Sequence, residues 1–196
     1  NQRLRTRKDL LAAAARLLKE GRTPSMDDVA AEAMVSRATA YRYFPTIEAL
    51  LVEAPLEGAA PTAEAIFGGD ASTDPVERAD RAEAALHEMC WRNAGQLRVM
   101  LAASLERVTR GDAAGAPVRQ NRRGALIEAA LAPARERFDD AVYEKLCAAL
   151  ALVFGTESMI VFSDVLGVEE GRAREVKAWA VRALVERALA ESGDEG

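Results

Sequence analysis

Residues 25–51 read SMDDVAAEAMVSRATAYRYFPTIEALL, and this stretch decides the fold. Ser25 and Ser36 are N-cap residues at the starts of two short helical segments. Pro45 ends the second segment, because proline disfavours a helical conformation in the residue before it. Small or apolar residues recur where two crossed helices would touch, and these are Val29, Ala30, Ala33, Val35, Ala40 and Phe44. The stretch therefore predicts a helix-turn-helix.

The second of these helices has a distinct outward face. Ala40 and Phe44 lie one turn apart and point inward, so the opposite side faces outward. The outward and flanking residues are Arg37, Ala38, Thr39, Tyr41, Arg42 and Tyr43. Arginine can read guanine O6 and N7 with two hydrogen bonds, and hydroxyl groups can bond phosphates. The face suits a DNA major groove, although tight helical hairpins with an exposed Arg and Tyr also occur in other helical proteins.

The order of residues 25–33 and 35–51 resembles the signature of the tetracycline-repressor (TetR) family of bacterial transcriptional regulators, over about the first 52 residues. The resemblance implies a dimer of all-helical subunits. Each would have an N-terminal three-helix DNA-binding domain and a larger domain for dimerisation and, commonly, small-molecule binding. By position, the six residues of the outward face match residues that contact the major groove and the phosphates in the family, so the resemblance implies the same contacts here. Ser25 matches the cap before helix two, and we count Ser25 and Ser36 among the DNA contacts.

Three residues depart from the family's pattern. Met34 stands where the turn usually has glycine, which predicts backbone strain if its φ is positive. Ile47 replaces a common lysine that reaches a phosphate, and Asp27 stands where some members place a basic contact. We therefore expect a lower phosphate affinity than is usual in the family.

Basic residues at the start of the first helix could compensate for that loss. Arg3 and Arg5, followed by Arg7 and Lys8, could lie along phosphates or enter the minor groove. A solvated helix end is the alternative interpretation.

The rest of the chain also predicts helices. Abundant Ala, Leu, Arg and Glu, with apolar residues at i, i+3 and i+4, indicate an all-α fold. The resemblance to the TetR family implies domains at residues 1–52 and 53–196. We expect a first helix that ends at Gly21, a break at Gly95, a loop at 111–117 and one long helix over 140–166. The last two helices are apolar over much of their circumference, which favours a homodimer through them over packing within one subunit.

Composition narrows the function classes. The chain has 196 residues, 49% of them apolar, and a net charge of −5. The first 52 residues hold nine Lys and Arg against six Asp and Glu, a net +3, while residues 53–196 carry −8. Cys90 and Cys147 lie outside any zinc or disulfide spacing, and the single His comes without a catalytic motif. We expect no enzyme, metal or cofactor.

The sequence also bears on location. The N-terminus has no apolar signal-peptide core, and residues 155–158 interrupt the most apolar stretch. We expect a cytoplasmic protein with no membrane partner.

The larger domain offers candidate ligand contacts, which are His87, Trp91, Met100, Phe154, Glu157 and Phe162. His87 and Trp91 share a helix face and could line a pocket for a planar or cationic ligand, although a lone His more often only packs. Glu157 follows an apolar stripe by one turn, and a carboxylate there needs a paired Arg98 or Arg123, a raised pKa or a ligand.

These patterns favour a sequence-specific DNA-binding regulator, a repressor in most members of the family. It would bind a pseudo-palindromic operator in double-stranded DNA and be released by an unknown small-molecule effector. The alternative is a dimeric helical ligand-binding or interaction module with weakened DNA binding.

Overall fold

The computed structural model describes residues 2–109 and 121–193, and it contains helices and no strand within those ranges, so the all-α prediction is confirmed. The α-helices are α1 (Gln2–Lys19), α2 (Met26–Glu32), α3 (Arg37–Tyr43), α4 (Ile47–Ala59), α5 (Ala63–Phe67), α6 (Pro75–Arg92), α7 (Ala94–Thr109), α8 (Arg122–Leu131), α9 (Asp140–Val153), α10 (Thr156–Ile160) and α11 (Glu170–Gly193). A 3-10 helix, Ala132–Arg137, follows α8, and a π-helical turn, Val161–Val165, follows α10.

The helices form two compact units. The N-terminal unit contains α1 to α4 together with α7, and the second contains α5, α6 and α8 to α11. This division differs from the expected one after residue 52, because the N-terminal unit continues to Ala60 and includes α7.

The core of the N-terminal unit lies between α1, α2, α3 and α4. Its buried members come from all four helices and the turn after α3, and they include Leu10, Leu11, Leu17, Met26, Val29, Ala30, Ala40, Phe44 and Leu50. Ala30 is only 2% exposed, as expected for a small residue at the crossing of α2 and α3. Gly21, two residues after the last residue of α1, has a φ of +76° and terminates the helix as predicted. The Gly21 and Arg22 amides donate to the carbonyls of Leu18 and Leu17, which is a Schellman motif.

α2 ends in the same motif but without glycine. The Met34 amide donates to the Ala31 carbonyl at 3.0 Å, and the Val35 amide donates to the Ala30 carbonyl at 2.9 Å. Met34 therefore occupies the left-handed position, with a φ of +54°, and its side chain is 92% exposed. The positive φ on which the expected strain at Met34 depends is observed, so the turn between α2 and α3 stores backbone strain there.

The second unit is built around α6 and α11. α11 packs on α6 and α9, and α6 also packs on α8. Arg78 of α6 donates to the carbonyls of Ala129 and Ala130 at the end of α8, at 3.0 and 2.9 Å, and its guanidinium lies 4.1 Å from the Phe67 ring centroid. The Arg78 guanidinium thus bonds backbone carbonyls in the last turn of α8, where a helix leaves carbonyl oxygens without an amide partner of its own.

The prediction of one long helix over 140–166 is wrong, because the helix is interrupted at Gly155, between α9 and α10. Gly155 has a φ of +95° and a ψ of −159°, a conformation that is essentially open to glycine alone. Arg123 of α8 spans the break. It donates to the Ala151 carbonyl in the last turn of α9 at 2.9 Å, and it pairs with Glu157 in the first turn of α10. A Cβ at position 155 would lie 3.2 Å from the Arg123 guanidinium carbon.

Other boundaries also differ from expectation. Gly95, where a break was expected, lies inside α7. α4 contains Pro55 and continues to Ala59, and the short helix α5 was not predicted. The predicted loop at 111–117 lies outside the described residues. Among the described helices, no single one has the length and hydropathy to span a membrane. Only when α9 and the segment 156–165 are taken together do they have that length and hydropathy, and a 43° bend separates the two.

Replacing Met34 by glycine should stabilise the protein by about 1 kcal/mol, since glycine adopts a positive φ without steric cost. The exposed methionine side chain has little packing to lose. Urea unfolding of Met34→Gly and of Met34→Ala measures the effect. The alanine variant is the matched control, because it removes the same side chain and keeps the strain. Equal free energies of unfolding for the two variants would contradict the strain.

Candidate nucleic-acid interface and a buried polar cluster

A capping box holds the start of α2. The Asp28 amide donates to Ser25 Oγ at 3.2 Å, and the Ser25 amide donates to Asp28 Oδ2 at 2.9 Å. The Ser25 hydroxyl also donates to Asp28 Oδ2, at 2.6 Å. These bonds with Ser25 lower the pKa of Asp28, and the nearby Arg22 lowers it further. The Ser25 hydroxyl is thus committed to the cap, and its contact with DNA stays a prediction.

Ser36 holds the start of α3 in a similar way. The Thr39 amide donates to Ser36 Oγ at 3.1 Å, and the Ser36 hydroxyl donates to Thr39 Oγ1 at 2.9 Å. Thr39 is the acceptor in that second bond, so its own hydroxyl proton is left for another acceptor. The cap therefore orients Thr39 while sparing the donor that a phosphate would need.

The anchored helix presents the expected face. Ala40 is fully buried and Phe44 is 2% exposed, so the inner side of α3 is fixed in the core. On the outer side, the exposed residues are Arg37, Ala38, Tyr41 and Arg42, and the half-buried ones are Thr39 and Tyr43. The Arg42 guanidinium lies 5.6 Å from the Tyr43 ring centroid. Four of the six predicted residues are thus exposed and two are half-buried around the solvent side of α3, and we call these six residues the α3 face.

Arg37 on the α3 face has a partner that the sequence did not indicate. Its NH1 donates to Asp27 Oδ2 of α2 at 2.9 Å, and its guanidinium lies 5.5 Å from the Tyr41 ring centroid. Both members of the Arg37–Asp27 pair are more than half exposed, so water screens the attraction and its net value is small. DNA would compete with Asp27 for this arginine.

The basic start of α1 divides into two groups. Arg3, Arg5 and Lys8 are exposed, as a DNA contact requires. Arg7 is different. Its two terminal nitrogens donate to the two carboxylate oxygens of Glu53 on α4, both at 2.5 Å, and both side chains are only 10% exposed. The expectation that Arg7 lies along phosphates is therefore wrong.

Ile47, which replaces the family's usual lysine, also has a structural role. It is half-buried and packs against the core of the N-terminal unit, at the start of α4. Its hydrophobic contact helps to seat α4, but it cannot replace the lost cation.

The second unit contains a cluster of buried charges between α6 and α11, which sequence reasoning missed. Lys177 Nζ pairs with Glu83, and Arg174 NH1 lies 3.4 Å from the other Glu83 oxygen. Arg174 NH2 also donates to Asp80 Oδ1 at 2.7 Å. Glu83 is fully buried, and Lys177 is 1% exposed. The only available signals were the spacing of Asp80, Glu83 and His87 on one side of α6 and the spacing of Arg174 and Lys177, three positions apart, on α11.

His87 lies against this cluster. Its Nδ1 is 3.3 Å from Lys177 Nζ, and the residue is 3% exposed. Burial lowers the pKa of His87 to about 4; the positive charges of Lys177 and Arg174 add to the shift, while the backbone of Glu170 opposes it. The imidazole is therefore neutral at pH 7. The Trp91 ring lies next to it, with 5.6 Å between ring centroids.

The remaining ligand candidates differ in exposure and in the unit to which they belong. Phe154 is fully buried in the core, Phe162 is half-buried in the π-helical turn, and Met100 lies on α7 in the N-terminal unit. Glu157 pairs with Arg123, and its side chain is 44% exposed, so the expected apolar surroundings are wrong. Within the described ranges, no group of three His, Cys, Asp or Glu side chains could hold a metal ion.

A comparison with known families matches residues 10–54 to the bacterial regulatory proteins of the tetR family. The match begins within α1, includes α2 and α3, and ends within α4. No curated protein matched the chain. The match supports a TetR-family regulator with a helix-turn-helix DNA-binding domain at residues 10–54, and the resemblance drawn from residues 25–51 is confirmed.

His87 should make stability fall in mild acid. Its pKa is about 4 in the folded chain and near 6.5 when unfolded, so the unfolded state binds the extra proton between those values. The free energy of unfolding should drop by about 1.4 kcal/mol per pH unit from 6.5 towards 4. Urea unfolding at several pH values measures it. His87→Gln should lose this slope while keeping the slope of the carboxylates, and parallel curves would show that His87 is not the cause.

Proposed function

We propose that the chain is a homodimeric, sequence-specific DNA-binding repressor that a small-molecule effector releases from its operator. One observation carries the proposal. The α3 face is exposed on a helix whose opposite side is anchored through Ala40 and Phe44. An exposed face on a rigidly held helix is what reading of base edges requires.

Roles within the α3 face follow from chemistry. Arg37, at the first position of α3, is the base-reading residue, because the N-terminal part of a recognition helix lies deepest in the major groove. Ala38 lets the helix approach closely, and Thr39 gives its spare hydroxyl proton to a phosphate. Tyr41, Arg42 and Tyr43 contact phosphates along the same side.

Dimerisation is supported by apolar surface in the second unit. Large apolar side chains that are about half exposed or more occur from α9 to α11, and they are Leu152, Val161, Val165, Leu166 and Trp179. Trp179 alone is 72% exposed. Exposed large apolar side chains are costly in water, and an interface between two copies of the chain would cover them. In a symmetric dimer, two α3 helices about 34 Å apart would read a pseudo-palindrome in successive major grooves.

Affinity in this proposal is modest and depends on salt. Each set of residues 1–52 contributes only +3, whereas residues 53–196 carry −8 and are repelled by DNA. The affinity comes from two such basic regions acting together, with Arg3 and Arg5 as additional phosphate contacts. A DNA-binding regulator of this kind acts in the bacterial cytoplasm, where the chromosome lies.

A second candidate function has a specific observation in its favour. Asp27 adds a negative charge beside the α3 face and occupies Arg37. Together with the loss of the usual lysine at Ile47, this favours a dimeric ligand-binding or interaction module with weakened DNA binding.

Replacing Arg37 by alanine tests the proposed function. Sites selected by the chain from random DNA duplexes serve as the operator, and binding is measured in a salt titration. Arg37→Ala should weaken operator binding by about 1–3 kcal/mol and relax the sequence preference, because a bidentate base contact is lost. Arg16→Ala is the control, since Arg16 is an exposed arginine paired with Glu32 away from the α3 face.

Two results would contradict the proposal at different levels. If Arg37→Ala and Arg16→Ala weaken operator binding equally, Arg37 does not read a base. If selection yields no preferred sequence and binding shows no salt dependence, the interaction module is the better description.

Asp27→Asn should instead strengthen DNA binding by about three- to tenfold, because it removes repulsion of phosphate and frees Arg37 from an ion pair worth about 1 kcal/mol at most. Glu32→Gln is the matched control, since it makes the same charge change on α2 and breaks the exposed pair with Arg16. Weaker or unchanged binding of Asp27→Asn relative to Glu32→Gln would show that Asp27 holds Arg37 ready for DNA and does not compete with it.

A further inference from the structure

The position of α3 depends strongly on one aromatic ring. Among residues 37–44, all of which the structure describes, Ala40 and Phe44 are the buried ones. Ala40 lets α3 approach the core closely, but its single methyl group gives the core little to hold. Phe44 caps the C-terminal end of α3, and its amide donates to the Ala40 carbonyl at 2.9 Å. The groups against which the Phe44 ring packs therefore set how the end of α3 lies on the core.

One of those groups is the guanidinium of Arg7 on α1. Its carbon atom lies 4.7 Å from the Phe44 ring centroid, and Arg7 is 8% exposed. Glu53 of α4 accepts one hydrogen bond from Arg7 on each of its two carboxylate oxygens. Two parallel bonds of this kind fix the direction of the planar guanidinium. Arg7 and Glu53 thus give the Phe44 ring a flat support that is held by two helices.

Neither stability nor charge is a sufficient reason for this arrangement. A buried ion pair often stabilises a fold no better than apolar side chains of the same volume would. The positive charge of Arg7 is also withheld from DNA, because its side chain is only 10% exposed and Glu53 neutralises it. The pair differs from an apolar contact in its defined geometry, which comes from the two hydrogen bonds and the plane of the guanidinium.

We infer that Arg7 is a positioning residue for DNA recognition: held by Glu53, it sets through Phe44 the position from which the α3 face reads bases. Base contacts require side chains placed to within about 0.5 Å, whereas long side chains can reach phosphates from a range of positions. A small shift of α3 should therefore reduce sequence preference more than non-specific binding. This role rests on the proposed function, because it requires that the α3 face reads DNA sequence.

Two variants of the whole chain change the contact and leave the net charge unchanged. Arg7→Lys keeps a cation beside Glu53 but loses the planar fork and the flat surface over the ring. Phe44→Leu keeps an apolar side chain in the core and removes the ring. It also leaves the ion pair intact, so it decides the test if Arg7→Lys does not fold. Leu17→Ala is the control for stability, because Leu17 is a buried residue of α1 about 15 Å along the helix from Arg7.

The measured quantity is the ratio of two dissociation constants, that for non-specific duplex DNA and that for the selected operator. Both are measured at one salt concentration and corrected for the folded fraction, which urea unfolding gives. A variant that is only less stable weakens both by the same factor, so its ratio does not change. We expect Arg7→Lys and Phe44→Leu each to lower the ratio at least fivefold, the lower end of what one bidentate base contact contributes. Leu17→Ala should leave the ratio unchanged.

Two further readouts separate positioning from other causes. The double variant Arg7→Lys/Phe44→Leu should lower the ratio no more than the stronger single variant, because both substitutions act through one contact. The salt dependence of non-specific binding should be the same in the parent and in every variant, because the phosphate contacts are kept.

An unchanged ratio in Phe44→Leu, or in a folded Arg7→Lys, would overturn this role while the proposed function stands. So would additive losses in the double variant, or an equal loss in Leu17→Ala. A weaker salt dependence in Arg7→Lys would mean that Arg7 contacts phosphate, which also overturns it. If the parent chain binds all duplexes alike, the proposed function falls, and the role of Arg7 falls with it.

Discussion

The buried ion pair between Arg7 and Glu53 is the interaction on which the DNA-binding unit depends. It joins α1 to α4 through two hydrogen bonds, and the Arg7 guanidinium also lies 4.7 Å from the ring of Phe44, the residue that ends α3. One side chain thus ties three helices together. Removing either partner would leave a buried charge unpaired, at a cost of about 3–5 kcal/mol. That is a large part of the stability of a small domain.

This pair also explains how the α3 face can be exposed and yet fixed. α3 is only seven residues long and could not persist as a helix by itself. Its position comes from Ser36 at one end, Phe44 under Arg7 at the other, and Ala40 in the core between them. The most exposed outer residues, Ala38 and Arg42, lie outside this anchoring, whereas Thr39 bonds Ser36, Tyr43 packs against the core and Arg37 meets Asp27. Orientation of α3 therefore comes mainly from its inner side and its two ends.

Sequence patterns were sufficient wherever the cause of a structure is local. Ser25, Ser36 and Thr46 each cap a helix by accepting from the amide three residues on, and Gly21 ends α1 as its conformational freedom allows. Strain at Met34 could be anticipated because the family usually has glycine at this position, and glycine is the residue that adopts a positive φ without cost. These signals lie within a few residues of their effects, so they can be read directly. They gave the fold class and the α3 face.

The failures share the opposite property. Arg7 looked like a phosphate contact because its partner, Glu53, lies 46 positions away, and the contact of His87 with Lys177 crosses 90 positions. The break at Gly155 was missed because the helical spacing from Leu150 and Val153 extends to Glu157 in spite of the polar residues 155–158. The residue that spans the break, Arg123, comes from α8. Periodicity identifies which residues are buried, but it does not identify the partner that makes burial of a charge acceptable.

The charged cluster around Glu83 has a consequence that an apolar core could not provide. Buried ion pairs often stabilise a fold no better than well-packed apolar residues would, so stability alone is a weak reason for two acids and two bases to lie between α6 and α11. Their arrangement does determine the state of His87. Lys177 lies 3.3 Å from one ring nitrogen, the Glu170 backbone bonds the ring, and burial keeps the ring neutral at pH 7. The cluster thus surrounds a neutral imidazole with fixed polar partners beside the ring of Trp91.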